Sequence, residues 1–468
     1  MILSASDNRS REKSMRQKKL FTPLALPIYF FAGAIFAGAA ILASPVSARD
    51  AQISFLDALF TATSAACVTG LTVVDTGTAF SPFGQHVILA LMQLGGLGIM
   101  TYTSLIFYLW RRRVSITDRI AVGQSLLHDP TFSLGAFLTR VAIVVFAIEA
   151  FGALALMALD PVGFTPYSAA FHAVSAFCNA GFSLFPDSLM RYKANLGVNL
   201  VFVVLITSGG LGFAVLIEVY RVVRDRIRYR GKASGRPRLS WHARTVLKTS
   251  LFLVVAGAVL IYIGEYPEER HGIDFLEKLT TAVFASVTCR TAGFNTLDTG
   301  IMADASLLIM ILLMFIGGSP GSCAGGVKTT TFRALVSFFN SQIRGRRQTV
   351  IGRYALDEGT INKAITLAVF AATIILVAML ILCFTEGAAE PHPEAKGRFL
   401  EILFETVSAF GTVGLSTGLT AKLSVIGKCV ITALMFIGRL GPILFLSVLQ
   451  NFQQRPRYSW PEKSMLVG

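Results

Sequence analysis

Four short stretches carry the residues whose types and spacing could do chemistry. They are Ala66-Cys67-Val68-Thr69-Gly70-Leu71, Phe177-Cys178-Asn179-Ala180-Gly181-Phe182, Thr288-Cys289-Arg290-Thr291-Ala292-Gly293-Phe294-Asn295 and Phe410-Gly411-Thr412-Val413-Gly414-Leu415. Each sets small or polar residues before a glycine and a large apolar residue after it. The chemistry this suits is ion dehydration. A cation such as potassium sheds its water in exchange for a ring of backbone carbonyls. Aiming successive carbonyls at one axis takes dihedrals that glycine adopts at little cost. A single glycine loop would say little, but these glycines recur at intervals of 111, 112 and 121 residues. That schedule predicts four copies of one unit whose loops meet around the ion. The expected ion-binding residues are Val68, Thr69 and Gly70; Asn179, Ala180 and Gly181; Thr291, Ala292 and Gly293; and Thr412, Val413 and Gly414, with potassium as the metal at their carbonyls.

A second constellation lies farther along the third unit. Ile316 to Val327 contains five glycines and a proline in twelve residues. Inside a helix each glycine costs about 1 kcal/mol and a proline about 3 kcal/mol, so the returning helix is predicted to break there. The polar loop Gly317, Gly318, Ser319, Pro320, Gly321, Ser322, Cys323, Ala324, Gly325 and Gly326, with Lys328 at its end, is the gate candidate. Arg439 holds the fourth-unit slot where the others carry Gly95-Gly96, Gly209-Gly210 and Gly317-Gly318, so it is expected to contact that loop and join the gate. The first two glycine pairs read as close-packing positions between helices. A charge at mid-membrane costs about 2.5–3.5 kcal/mol, so Glu149 and Lys428, which fall in apolar runs, need a partner or water. Lys428 could snorkel, while Glu149 stays open between structural pairing and an ion pathway. The six cysteines show no CxxC and no metal-ligand spacing.

The elements that position these loops must cross a membrane. The chain is 53% hydrophobic and only 15% charged, against about 25% charged in soluble domains. The loops follow short apolar runs with a Phe and, four positions later, a Ser or Thr: Phe60/Ser64, Phe171/Ser175, Phe284/Thr288 and Phe404/Ser408. That spacing lies on one helix face, so each loop is predicted to follow a half-length helix. The runs Asp50–Ala66, Thr165–Phe177, Ile273–Val287 and Phe399–Ala409 read as these re-entrant helices. They sit between outward spans Phe21–Ala43, Leu134–Leu159, Val246–Gly264 and Ala364–Phe384. The return spans are Gly84–Trp110, Leu196–Tyr220, Ile301 onward and Ser424–Leu449. The fold class is therefore all-α and polytopic, with eight transmembrane helices and four half-spans. The units are 21–113, 134–230, 244–345 and 362–450, flanked by tails 1–20 and 451–468. Val46-Ser47-Ala48 resembles a signal-peptidase site, but the run before it is long enough to span a bilayer, and it is expected to be retained.

The net charge of +15 is sorted by side. Residues 1–23, 110–140, 220–250, 328–365 and 451–468 hold 31 of the 42 Lys and Arg, which makes them, and both termini, cytoplasmic. The opposite face carries nine basic against seventeen acidic residues, a field that gathers cations. Basic loops beside spans point to anionic lipid or a cytosolic partner, with no nucleic acid.

The chain resembles the Trk/Ktr/HKT superfamily of potassium transporters over residues from about 20 to 450. The carriers are Val68-Thr69-Gly70-Leu71, the run to Gly181, Arg290 to Asn295, Gly317-Gly318-Ser319-Pro320-Gly321 through Lys328-Thr329-Thr330-Thr331, and Gly438-Arg439-Leu440-Gly441-Pro442. It looks most like the bacterial Ktr membrane subunit. The resemblance implies four M1–P–M2 units around one pseudo-fourfold pore in the bacterial cytoplasmic membrane. It also implies a homodimer docked on a cytosolic nucleotide-binding ring, with potassium as the transported ion. Gly70 at the first filter position implies preference for potassium over sodium. Sodium remains a possible second ion, and no organic cofactor or enzymatic activity is expected. The alternative function is an ion-coupled secondary transporter, though four units of one sense argue against inverted repeats. A membrane enzyme would need clustered His, Asp or Glu within the bundle.

Overall fold

The computed structural model describes residues 26–49, 52–97, 134–228, 238–266, 274–387 and 397–441. The tails, Arg111-Arg112-Arg113, and Arg230, Lys232 and Arg236 of the expected cytoplasmic segments lie outside the described residues, as do Gly98–Trp110 and 442–449 of two expected return spans.

Local sequence explains where the helices start. Ser81 caps α3 (Pro82–Gly96) by accepting from Gly84 N–H, and Thr165 caps α5 (Pro166–Phe177) by accepting from Ser168 N–H. A proline follows each cap, where its missing N–H costs nothing. Ser54, Asn195, Ser240, Asp357 and Ser424 cap in the same way α2 (Phe55–Ala66), α6 (Leu196–Gly210), α8 (Trp241–Glu265), α12 (Glu358–Glu386) and α14 (Val425–Leu440). The remaining helices of more than four residues are α1 (Leu26–Leu42), α4 (Leu134–Leu159), α7 (Phe213–Arg228), α9 (Phe275–Thr288), α10 (Asp304–Phe315), α11 (Thr329–Ile343) and α13 (Arg398–Gly411). A two-residue antiparallel pair, Val350–Ile351 with Tyr354–Ala355, is the one sheet among the described residues.

Three helical stretches are long and apolar enough to cross a membrane: Thr139–Leu159, Trp241–Glu265 and Glu358–Glu386. Their outer faces leave Phe146, Phe151, Leu251, Phe252, Leu376 and Phe384 exposed, as lipid-facing helices do. The helix expected over Leu196–Tyr220 is instead two, α6 and α7, bent by 112°. The cause is local. Gly212 has φ +90°, and Phe213 N–H leaves the helix to donate to Gly321 O at 3.0 Å. Lys428 finds a partner. Its Nζ pairs with Asp57 Oδ1 at 2.6 Å, tying α14 to the start of α2.

The packing closes on itself. The short helices α2, α5, α9 and α13 lie against α1, α4, α8 and α12. The helix after each loop then packs on the next short helix: α3 on α5, α6 on α9, α10 on α13, and α14 back on α2. Phe60, Phe171, Phe284 and Phe404, one from each short helix, are almost wholly buried, where close packing rather than exclusion of water holds helices together in a membrane. Gly95, Gly209 and Gly438 explain how close the helices come. A Cβ at any of them would collide with the carbonyl of Ala66, Phe177 or Phe410, the end of the neighbouring short helix.

Candidate functional site

The four loops leave their helices in one way. Val68, Asn179, Thr291 and Thr412 have φ of 55°, 58°, 72° and 51°, and two residues later Gly70, Gly181, Gly293 and Gly414 have φ of 94°, 71°, 76° and 93°. Left-handed backbone at a β-branched residue is a genuine outlier, and here it occurs at three equivalent positions. Such strain costs about 1–3 kcal/mol per residue and persists where surroundings over-determine it. The surroundings are the helix hydroxyls. Ser64 Oγ accepts from Gly70 N–H at 3.0 Å, and Ser408 Oγ from Gly414 N–H at 3.2 Å. Ser175, Thr288 and Ser408 donate to the carbonyls of Phe182, Phe294 and Leu415 at 2.7, 2.6 and 2.7 Å. The Phe/Ser pairs of the sequence thus have two tasks, burial and bracing.

The four glycines touch in a closed ring. A Cβ on Gly70 would lie 2.5 Å from Ala180 O and 2.9 Å from Gly181 Cα, and one on Gly181 3.0 Å from both Ala292 O and Gly293 Cα. One on Gly293 would lie 2.6 Å from Val413 O, and one on Gly414 would strike Thr69 O. Each glycine therefore abuts the carbonyl that precedes the next glycine, and the fourth returns to the first. All four line an open vestibule of about 180 Å³, together with Thr72, Ser183, Asn295, Ser416 and Asp75. The hydroxyls of Thr69 and Thr412 are buried without a hydrogen-bond partner among the described residues.

On the side away from the vestibule, the segment after α10 is non-helical, as its glycines predict. Ile316 and Val327 form an isolated parallel bridge, with Gly317 N–H donating to Val327 O at 2.9 Å. The segment presses on the fourth loop: a Cβ on Gly325 would strike Thr412 Oγ1 and lie 3.1 Å from Gly411 O. Its backbone is satisfied largely by the bend between α6 and α7. Ser319 N–H donates to Gly210 O at 2.9 Å, and Cys323 N–H to Gly209 O at 3.1 Å. Lys328 Nζ donates to Ala324 O at 2.6 Å. Arg439 is buried and donates to Cys323 O of the segment and to Gly95 O of α3. Irregular backbone enclosed by protein in this way is what a membrane interior tolerates.

Glu149 sits beside this assembly rather than in it. It accepts from Gln93 Nε2 at 3.3 Å, and Cys178 Sγ lies 3.9 Å from its other oxygen. Sequence reading missed two buried side chains behind the loops, His172 and Glu405. Their signal was present: each directly follows the Phe of a Phe/Ser pair. Among the described residues, no group of three or more His, Cys, Asp or Glu could hold a metal ion.

Comparison with known proteins gives the family and the fold. The family model described as cation transport protein, TrkH, matches residues 35–453. The chain is 39% identical to the Ktr system potassium uptake protein B of Bacillus subtilis, over 98% of this chain and 99% of that one. It is 35% identical to the potassium/sodium uptake protein NtpJ of Enterococcus hirae, over 97% and 99%. The crystal structure of the potassium transporter TrkH from Vibrio parahaemolyticus superimposes with a TM-score of 0.67 at 19% identity, covering 93% of this chain and 86% of that one. The chain belongs to the TrkH family of cation transport proteins.

Proposed function

We propose that this protein takes up potassium across a membrane through a channel-like pore, and that it catalyses no reaction. The observation that carries the reading is the closed ring of Gly70, Gly181, Gly293 and Gly414 beneath a polar vestibule. The uptake proteins at 39% and 35% identity support potassium as the ion. In this reading the units 21–113, 134–230, 244–345 and 362–450 are four M1–P–M2 repeats around one axis, with the bends in the second and third return helices on the cytoplasmic side. The filter residues 68–70, 179–181, 291–293 and 412–414 replace the ion's water with carbonyls, and the unpartnered Thr69 and Thr412 hydroxyls add oxygen beside them.

Residues Gly317 to Gly326 form the gate, held closed by Arg439 and Lys328. A guanidinium has five donors, and Arg439 uses two of its nitrogens to clamp the segment to α3. Opening follows when a cytosolic nucleotide-binding ring pulls α11, which begins just after Lys328. The membrane is the bacterial cytoplasmic one, the subunits pair as a homodimer, and both tails face the cytosol.

Rubidium uptake into proteoliposomes tests the reading. Flux down a rubidium gradient alone supports a pore. A strict need for a sodium gradient supports the second reading, a sodium-coupled transporter, which the potassium/sodium uptake relative favours. Absence of rubidium flux in either condition overturns both.

A further inference from the structure

The vestibule rim is a second ring. Thr72, Ser183, Asn295 and Ser416 each lie two residues outward of a filter glycine, and all four line the vestibule. What stands behind them differs. The helix position after the buried Phe is Thr61 in the first unit, His172 in the second, Ala285 in the third and Glu405 in the fourth. His172 meets Ser168 O with Nδ1 at 2.7 Å, so Nδ1 carries the proton. Its Nε2 then accepts from the Ser183 hydroxyl at 3.0 Å and from Leu184 N–H at 3.3 Å, which makes it a neutral brace. Glu405 occupies the corresponding place opposite and is wholly buried. Its carboxylate accepts from the hydroxyls of Ser416 and, at 2.7 Å, Thr420. The ion pairs among the described residues leave it without a Lys, Arg or His.

A buried carboxylate without a counter-charge is strongly disfavoured. Hydroxyl donors favour its charged form, yet they supply no positive charge. An open volume that could hold one, the vestibule, lies one hydroxyl away through Ser416. We propose that Glu405 is a positioning residue whose counter-ion is the cation itself, held at the Thr72–Ser183–Asn295–Ser416 rim before it enters the glycine ring. The site takes a monovalent alkali cation, and its affinity is set by a carboxylate the ion never touches. The proposal rests on the pore reading above and adds to it an outer site with one charged wall.

The test compares wild type with Glu405→Gln and Glu405→His as full-length protein in detergent and in proteoliposomes. The Gln variant keeps the shape of the side chain, and the His variant installs the residue the second unit already accommodates. Two readouts are taken: the unfolding temperature in potassium against choline chloride, and the KM of rubidium uptake. Both variants are expected to raise KM at least about tenfold, since a unit charge one hydroxyl away acts across an effective dielectric of only about 20. Maximal uptake should change less than twofold. In choline the variants should unfold at or above the wild-type temperature, because an uncompensated charge has gone, while the added stability in potassium shrinks. A merely structural Glu405 would lower the unfolding temperature equally in both salts, and that result overturns the proposal. So does a potassium-sensitive wild type matched in KM by either folded variant. A wild type whose unfolding temperature ignores alkali cations would overturn the pore reading along with this one.

Discussion

Gly70→Ser is the perturbation to which the ring responds most directly. Gly70 has φ +94°, and its new Cβ would sit 2.5 Å from Ala180 O, where ordinary contact begins at 3.4 Å. The obstacle is backbone of the next loop, not a side chain that could swing away, so Ala180 O must withdraw by about 0.9 Å. The backbone strain alone is about 1–3 kcal/mol. Every 1.4 kcal/mol is a factor of about ten in relative affinity. A ring that opens to relieve the clash loses its match to potassium first, so the preference for potassium over sodium should fall at least about tenfold. The assay is competition of sodium against rubidium uptake in proteoliposomes. Gly418→Ala is the control: Gly418 has φ +95° but nothing within 4 Å of its missing Cβ, so it bears the strain without the collision. It should lose stability and keep selectivity. A folded Gly70→Ser protein with wild-type discrimination would refute the reasoning.

Two further outcomes follow from the contacts. Arg439→Ala removes the clamp between Cys323 O and Gly95 O, and deletion of Gly321–Ala324 removes what it clamps. Each should raise rubidium flux severalfold and weaken its dependence on the cytosolic partner, whereas a folded Arg439→Ala protein with unchanged flux and regulation removes Arg439 from the gate. Lys428→Met leaves Asp57 unpaired at a site about four-fifths buried. After allowance for solvent screening it should cost about 1–2 kcal/mol, read as a lower unfolding temperature that the double variant with Asp57→Asn partly restores.

The parts of this molecule that glycine dictates were legible in the sequence. The four loop glycines stand out because their φ is open to little else, and the break after α10 because five glycines and a proline cannot remain helical. Composition and the Phe/Ser spacing located the short helices to within a few residues. Four features were hidden for physical reasons. The left-handed turns at Val68, Thr291 and Thr412 leave no sequence mark, because β-branched residues rarely adopt them and only the bracing around them enforces them. The bend at Leu211–Gly212 read as helix packing, since Gly209 does pack closely. Its other cause, the Phe213 hydrogen bond to Gly321 O, lies more than a hundred residues away. Arg439 was expected at the glycine-rich segment, but its second acceptor, Gly95 O, belongs to the first unit and appears only when the fourth closes on it. Pairing between distant residues, such as Lys428 with Asp57, leaves no local mark.

The central claim is that the carbonyls around the four glycines hold the ion, and anomalous diffraction from crystals grown in rubidium tests it most directly. The account predicts an anomalous peak on the axis among Gly70, Gly181, Gly293 and Gly414, within coordinating distance of the carbonyls of Thr69, Ala180, Ala292 and Val413. It also predicts that the peak persists when an excess of sodium is added alongside the rubidium. Rubidium bound elsewhere, with that axis empty in a structure whose loops are ordered, would contradict it.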